Sequence, residues 1–288
     1  INMQINRFVR KSELEQESES QMAFAQTRTK IFVGRNAVLE KIMDYIHDTT
    51  NDPLIIMGPS GSGKSALIAK LVHEIHKSNP ASIVLPRFIG TTVKSSNSLT
   101  LLTDLYQNIV KMPNISFKTT ETITDKTFTD YPKFARYFTE LVSTCDIGDK
   151  AILLIDAIDQ LRSNDMGRDL QWIPQVLGKN IKIVISCALD AKDLVGILDT
   201  RFKTRILHIP PLSIQEGDEI LKLLLKDTSR ALTSSQSDEI LMKFKKLGNP
   251  LFLKVAFEIS RRWNSFDPPE STILPDNIEA LVEQYLSS

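Results

Sequence analysis

One run of eight residues, Gly58-Pro59-Ser60-Gly61-Ser62-Gly63-Lys64-Ser65, matches the pattern G-x-x-x-x-G-K-[ST] at every defined position. An apolar segment, residues 54–57, precedes this run. Residues 66–72 follow it, and their apolar residues have the spacing of a helix. A strand, a glycine loop and a helix in this order form a phosphate-binding P-loop. Its glycines allow tight turns that point backbone N–H groups at a phosphate, and the helix dipole adds positive potential. We therefore expect Gly58 to Ala66 to bind the phosphates of a nucleotide.

Two side chains at the end of this loop have more specific expected roles. Lys64 is expected to reach the β- and γ-phosphates. The hydroxyl of Ser65 is expected to ligate Mg²⁺, as the Ser or Thr of this motif does.

A second pattern is an apolar strand that ends in a carboxylate. Residues 151–155 read Ala-Ile-Leu-Leu-Ile, and Asp156 follows them. Such a run is typical of a strand buried on both faces of a parallel sheet, and its carboxyl end lies where open α/β sheets bind ligands. We expect Asp156 to hold Mg²⁺ through a water molecule, opposite Ser65. Asp159 is expected either to orient or deprotonate the attacking water or to cap the following turn.

The remaining apolar patterns alternate between strands and helices. Further strands are predicted at residues 81–89, 181–186 and 205–209. Helices between the strands are predicted at residues 36–46, 99–110 and 131–143. After Pro211 the strand patterns stop, and three helical segments follow within residues 214–263. The chain is therefore predicted to be α/β, with a five-stranded parallel sheet, helices on both faces, and a small helical domain after it.

These patterns divide the chain into four expected parts. They are a polar helical linker (1–28), a P-loop NTPase core (29–210), a helical lid domain (211–266), and a linker with the start of a further, winged-helix-like domain (267–288). The chain begins Ile1-Asn2-Met3 rather than with an initiator methionine, and we expect it to be part of a longer protein.

The composition is that of an ordinary globular protein. Of the 288 residues 42% are hydrophobic and 24% charged, and 35 Lys and Arg balance 35 Asp and Glu. A net charge of zero does not favour a nucleic-acid partner, and no apolar run approaches the roughly 18 residues of a membrane span. Cys145 and Cys187 have no metal-ligand spacing, so we expect two reduced thiols in a cytoplasmic protein.

Polar residues on the fourth and fifth strands, and Arg201 shortly before the fifth, are further candidates. Ser186 ends its strand near the expected γ-phosphate, and its hydroxyl either senses that phosphate or caps the strand end. Arg201 and Arg205 are candidates for a transition-state arginine, with surface or helix-dipole roles as the alternative. His208 lies between apolar neighbours and is expected to be a core histidine.

Four motifs occur in order within residues 25–265. They are Phe32-Val33-Gly34-Arg35, the loop Gly58 to Ser65, the strand Ile152 to Asp159, and Gly248-Asn249-Pro250-Leu251. Together they resemble the STAND class of AAA-related P-loop NTPases, in particular the NACHT-type modules of nephrocystin-like and telomerase-associated-protein-like sequences. In that class the first motif lies beside the adenine, the second and third are Walker A and Walker B, and the last is a proline motif of the helical lid.

The resemblance implies a nucleotide switch with ATP or ADP and Mg²⁺ as ligands. Such proteins are closed with ADP, open and self-assembling with ATP, and flanked by effector and sensor domains. Adenine contacts are implied for Val33, Gly34 and Arg35, with Pro250 and Leu251 packing from the lid. Lys64, Asp156 and Asp159 would then be the catalytic residues of slow ATP hydrolysis.

The sequence departs from the family pattern at two places, and two alternative functions stay open. The chain has Ser186-Cys187 where many NACHT modules carry an arginine, and it ends before the histidine of a winged helix. One alternative is a nucleotide-binding scaffold without turnover. The other is an initiator-like AAA+ ATPase that binds DNA, which the neutral charge and the Gly248-Asn249-Pro250 motif disfavour.

Overall fold

A parallel sheet lies at the centre of the computed structural model, which describes residues 13–92, 95–117 and 129–287. Its strands are β1 (Leu54–Gly58), β2 (Ile83–Phe88), β3 (Asp146–Asp156), β4 (Lys179–Ala188) and β5 (Ile206–His208). They pair in parallel in the order β2-β3-β4-β1-β5, so the P-loop strand β1 lies inside the sheet. The predicted five-stranded parallel sheet is confirmed.

Helices cover both faces of this sheet. In the described residues they are α1 (Glu13–Arg28), α2 (Asn36–His47), α3 (Lys64–Ser78), α4 (Ser98–Val110), α5 (Tyr131–Thr144), α6 (Lys192–Phe202), α7 (Ile214–Asp227), α8 (Ser234–Leu247), α9 (Pro250–Ser260) and α10 (Ile278–Ser287). Successive residues of β3 point to opposite faces. Leu153 packs with α4, α5 and α6, whereas Ile152 packs with α1, α2 and α3. The apolar run of β3 is therefore explained by burial on both faces.

The last four helices have an apolar cluster of their own. It includes Phe244, Phe252 and Leu281, all almost completely buried. Leu274 and Leu281, which lie within the predicted last part of the chain, belong to the same cluster. The four-part division of the chain stays a prediction.

The helix α1 lies within the predicted polar helical linker and is attached to the sheet domain by two buried residues. Ala25 is buried in the same cluster as α2 and α3. Gln21 is also fully buried, and its side-chain oxygen accepts a hydrogen bond from the N–H of Phe88 at 2.6 Å. Phe88 ends the edge strand β2, so α1 satisfies a donor at the edge of the sheet. Residues 1–12 of the predicted linker lie outside the described residues.

Candidate nucleotide-binding site

The glycine loop crosses the carboxyl end of β1 and leads directly into α3. Gly61 has φ +73°, and α3 begins after Gly63 without a side-chain cap, which leaves its first N–H groups available to an anion. The hydroxyl of Ser62 is buried and has no hydrogen-bond partner among the described residues. Since unpartnered buried donors are costly, this donor set fits a bound phosphate.

Lys64 lies beneath the loop, with only 8% of its surface exposed. Its ammonium donates to the carbonyls of Gly58 at 2.8 Å and Pro59 at 2.9 Å. Burial lowers the pKa of this ammonium, and the nearby charges of Asp159 and Asp156 oppose that shift. Lys64 is thus a buried cation at the loop, with carbonyl partners that phosphate oxygens can replace.

Asp156 ends β3 and faces the start of α3. It is 2% exposed, and the hydroxyl of Ser186 donates to its Oδ1. Burial raises the pKa of the Asp156 carboxyl, while the hydroxyls of Ser186 and Ser65 and the ammonium of Lys64 oppose this shift. The carboxylate and the Ser65 hydroxyl are therefore side by side, and both are oxygen ligands of the kind that Mg²⁺ prefers.

The protein ligands for such an ion are few. The described residues contain no group of three or more His, Cys, Asp or Glu side chains arranged to hold a metal. Mg²⁺ usually keeps several waters and takes other ligands from phosphates, so two protein oxygens are a sufficient set. The arrangement fits Mg²⁺ that arrives with a nucleotide.

Ser186 supports Asp156 from behind. Its side chain is completely buried, donates to the Asp156 carboxylate, and accepts from the N–H of Ala157 at 2.8 Å. Ala157 has φ +58°, a left-handed conformation that costs a residue with a Cβ about 1–2 kcal/mol, and the hydrogen bond from its N–H to Ser186 helps to hold it there. Of the two expected roles of Ser186, these contacts favour the cap of the strand end.

Asp159 lies just beyond this turn. Its Oδ1 accepts a hydrogen bond from the N–H of Ala188, at the end of β4, at 2.8 Å, and its Oδ2 accepts from the Gln160 amide at 3.0 Å. Arg168 donates to the carbonyl of Asp159 at 3.1 Å. These contacts fix the carboxylate between β3 and β4, near Lys64. Action on water and capping of β4 are both compatible with this position.

The 33–35 segment lies against the loop from another side. Val33 is buried, and a Cβ on Gly34 would collide with the Glu216 carboxylate of α7. The guanidinium of Arg35 donates to the carbonyl of Ser62 at 2.7 Å and to that of Pro210 at 2.6 Å. Arg35 thereby links the glycine loop to the segment that precedes the helical group.

The helical group also contacts the loop directly. The side-chain amide of Asn249 donates to the carbonyl of Ser60 at 2.9 Å, and the N–H of Leu251 donates to that of Gly61 at 3.3 Å. Pro250 begins α9 beside Gly63. The structure thus brings the 33–35 segment, the loop and Pro250-Leu251 together, although they are far apart in sequence. Their contacts with a base stay a prediction.

Four residues outside the loop remain to be placed: three that the sequence analysis named and one that it did not. His208 is exposed because β5 is a three-residue edge strand, so the expectation of a core histidine was wrong. Arg201 donates to the carbonyl of Ile173 at 2.6 Å, and Arg205 pairs with Asp52, so both are engaged in structural contacts. Asp190, which accepts from the N–H of Ser60 at 3.3 Å, was missed because no sequence motif marks it.

Comparison with known proteins finds a matching family model and several related proteins. The model of the family described as novel STAND NTPase 1 matches residues 20–242. The NACHT domain- and WD repeat-containing protein 1 of Homo sapiens is 27% identical over 253 residues, which are 83% of this chain and 15% of that protein. Nephrocystin-3 of Homo sapiens is 25% identical over 171 residues, 59% of this chain and 12% of that protein. The chain thus spans a small part of the length of these relatives.

Solved structures support the fold. Domain III of the Thermotoga maritima replication initiation protein DnaA matches with a TM-score of 0.50 and 13% identity, over 92% of this chain and 98% of that one. At this identity the similarity concerns the fold alone, which is the five-stranded parallel sheet of AAA+-like P-loop NTPases.

Proposed function

Because this chain belongs to the novel STAND NTPase 1 family, we propose that it binds ADP and ATP with Mg²⁺ and acts as a nucleotide-dependent conformational switch. The observation that carries this proposal is the direct contact of the helical group with the phosphate loop. Asn249 and Leu251 bond the carbonyls of Ser60 and Gly61, two residues of the loop itself. A change in what the loop binds therefore bears directly on how the helical group is held.

Phosphate and metal binding rest on the loop and the two oxygens beside it. The loop supplies N–H groups and the buried Ser62 hydroxyl, and Lys64 supplies the positive charge. Ser65 and Asp156 would hold Mg²⁺, which neutralises the phosphates when bound. Burial of the Lys64 and Asp156 side chains excludes water, so their charges act strongly on a phosphate.

Adenine binding rests on the surfaces beside Gly63. Arg35 and Pro250 both lie beside this glycine, near enough that an added Cβ would contact both. Val33 and Gly34 would offer backbone groups to the base edge, and Pro250-Leu251 would pack on it. A base in this position would touch the sheet domain and the helical group together, and a ligand that binds the folded state stabilises both.

Slow hydrolysis is the enzymatic part of this proposal. Asp159 would orient or deprotonate the attacking water, with its Oδ1 held by the N–H of Ala188. The alternative is a nucleotide-binding scaffold without turnover, in which Asp159 serves as a cap of β4. A turnover assay separates the two.

Control of self-association and a cytoplasmic location complete the proposal. The relatives named above are several times longer than this chain, and one of them carries WD repeats by name. We expect effector and sensor domains to flank the switch in the same way. None of the helices in the described residues has the length and apolar character that a membrane span requires. DNA binding, the other alternative, would show a steep loss of affinity with salt.

Calorimetry with Mg·ADP tests the binding proposal. Lys64→Ala removes the charged donor of the loop, and hydrogen bonds to charged groups contribute about 1.5–3 kcal/mol. The affinity should therefore fall roughly 10- to 100-fold. Lys70→Ala, on the same helix but in a surface pair with Glu74, is the control and should leave affinity unchanged. Equal affinities of wild type and Lys64→Ala would contradict the assignment.

A further inference from the structure

The segment after β4 touches the phosphate loop at two points. The N–H of Leu189 donates to the carbonyl of Gly58 at 3.1 Å. The N–H of Ser60 donates to Oδ2 of Asp190 at 3.3 Å. Asp190 is exposed, so its side chain is not needed to fill the core. The Asp190 carboxylate therefore accepts a hydrogen bond from one of the backbone N–H groups at the rim of the loop.

Asp190 lies on the side of the loop where the last phosphates are expected. Its charge acts on the ammonium of Lys64, as do the charges of Asp156 and Asp159. In a P-loop this lysine reaches the β- and γ-phosphates. Asp190 also follows β4, the strand between β1 and β3, and β3 carries the Asp156 carboxylate. The donor that Asp190 occupies is thus near the distal end of a bound nucleotide.

A negative charge at this place affects the binding of ADP and ATP to different extents. The terminal phosphate of ATP brings additional negative charge, and like charges that lie close together near a protein surface repel each other, with a strength that salt screening reduces. Mg²⁺ accompanies both nucleotides, so it offsets the total charge without removing this difference. The α- and β-phosphates, which the loop and Lys64 would hold, would be farther from Asp190 and less affected.

We infer that Asp190 is a specificity-determining residue that disfavours the γ-phosphate and so biases the site toward ADP. This inference rests on the proposed function, because it presupposes a nucleotide at the loop. In a switch, such a bias favours the ADP-bound form until other parts of the protein supply compensating interactions. Exchange for ATP would then require the Asp190 carboxylate to move from Ser60 or to be neutralised.

The test is the ratio of two affinities in Asp190→Asn. Asparagine keeps an oxygen that accepts from the N–H of Ser60 but removes the charge. Calorimetry with Mg·ADP and with Mg·AMPPCP, an analogue of ATP that resists hydrolysis, gives the ratio of dissociation constants. We expect the ratio to shift roughly 10-fold toward the triphosphate, which corresponds to about 1.4 kcal/mol. Asp199→Asn, an exposed aspartate on α6, is the control and should leave the ratio unchanged.

A second measurement needs no variant. Salt screens charges near the surface, so the wild-type preference for ADP should shrink as the salt concentration rises from about 0.05 to 0.5 M. An unchanged ratio in Asp190→Asn, or a shift toward ADP, overturns the inference while wild-type binding keeps the proposed function intact. If wild type binds neither nucleotide, the proposed function fails, and the inference fails with it.

Discussion

Adding one methyl group at Gly61, by the substitution Gly61→Ala, tests the contact between the loop and the helical group. The φ of Gly61 is +73°, a conformation that disfavours any residue with a Cβ. A Cβ at Gly61 would lie 2.6 Å from the Cβ of Leu251 and 2.9 Å from Oδ1 of Asn249. The Leu251 Cβ is close to the backbone of α9 and cannot rotate away. Gly61→Ala should therefore push the start of α9 off the loop.

The size of the effect follows from two contributions. A left-handed alanine costs about 1–2 kcal/mol relative to glycine. Displacement of α9 also breaks the bonds from Asn249 to Ser60 and from Leu251 to Gly61, each worth about 1 kcal/mol. Gly61→Ala should lower the free energy of unfolding by about 3–4 kcal/mol, a large share of the 5–15 kcal/mol typical of a domain.

Equilibrium unfolding in urea measures this change without any nucleotide. Gly196→Ala is the matched control, because a Cβ at this position in α6 meets no atom within 4 Å. Alanine in an open helical position should stabilise the protein by about 0.5–1 kcal/mol. If Gly61→Ala unfolds at the same urea concentration as wild type, the loop and α9 are not in the contact described, and the reasoning is refuted.

Two further predictions concern carboxylates around the loop. Burial alone would raise the pKa of Glu216, but hydrogen bonds from the backbone and hydroxyl of Ser213 and the backbone of Arg35 hold it below its ordinary 4.5. Because the folded pKa is the lower one, the stabilisation is present above pH 4.5 and is lost as pH falls through the folded pKa. At pH 7 the free energy of unfolding of Glu216→Gln should thus be lower than that of wild type, by no more than about 1 kcal/mol because the group is partly exposed. At about pH 2 the two proteins should have the same free energy of unfolding. A difference that persists at about pH 2 would contradict this. Asp159→Asn should bind nucleotide like wild type but hydrolyse ATP about 100-fold more slowly, and normal turnover would make Asp159 a cap alone.

The sequence was most informative where local pattern and chemistry coincide. The glycine loop and the apolar strand ending at Asp156 each need residues adjacent in sequence, so their positions were predictable from the chain. The sheet and its parallel pairing followed from the alternation of strands and helices. These features depend on spacing, which a single sequence records.

Contacts between segments that are distant in sequence could not be predicted from spacing. Arg35 bonds Pro210 across 175 residues, and Asn249 bonds Ser60 across 189. The motifs indicated that these segments matter, but no spacing rule says which atoms meet. His208 was misjudged for a related reason, because apolar neighbours predict burial and the order of strands leaves β5 at an edge. Gln21 is buried because it satisfies the N–H of Phe88, which a polar composition does not reveal.

Hydrogen exchange with and without Mg·ADP tests most directly the claim that nucleotide joins the sheet domain to the helical group. A nucleotide held by the loop alone would protect residues 58–66. A base held between the 33–35 segment and Pro250 would extend the protection to residues 32–36 and 248–252, and this is the result that the proposed switch predicts. Protection confined to residues 58–66 would contradict the claim, because the base would then not lie between the 33–35 segment and Pro250.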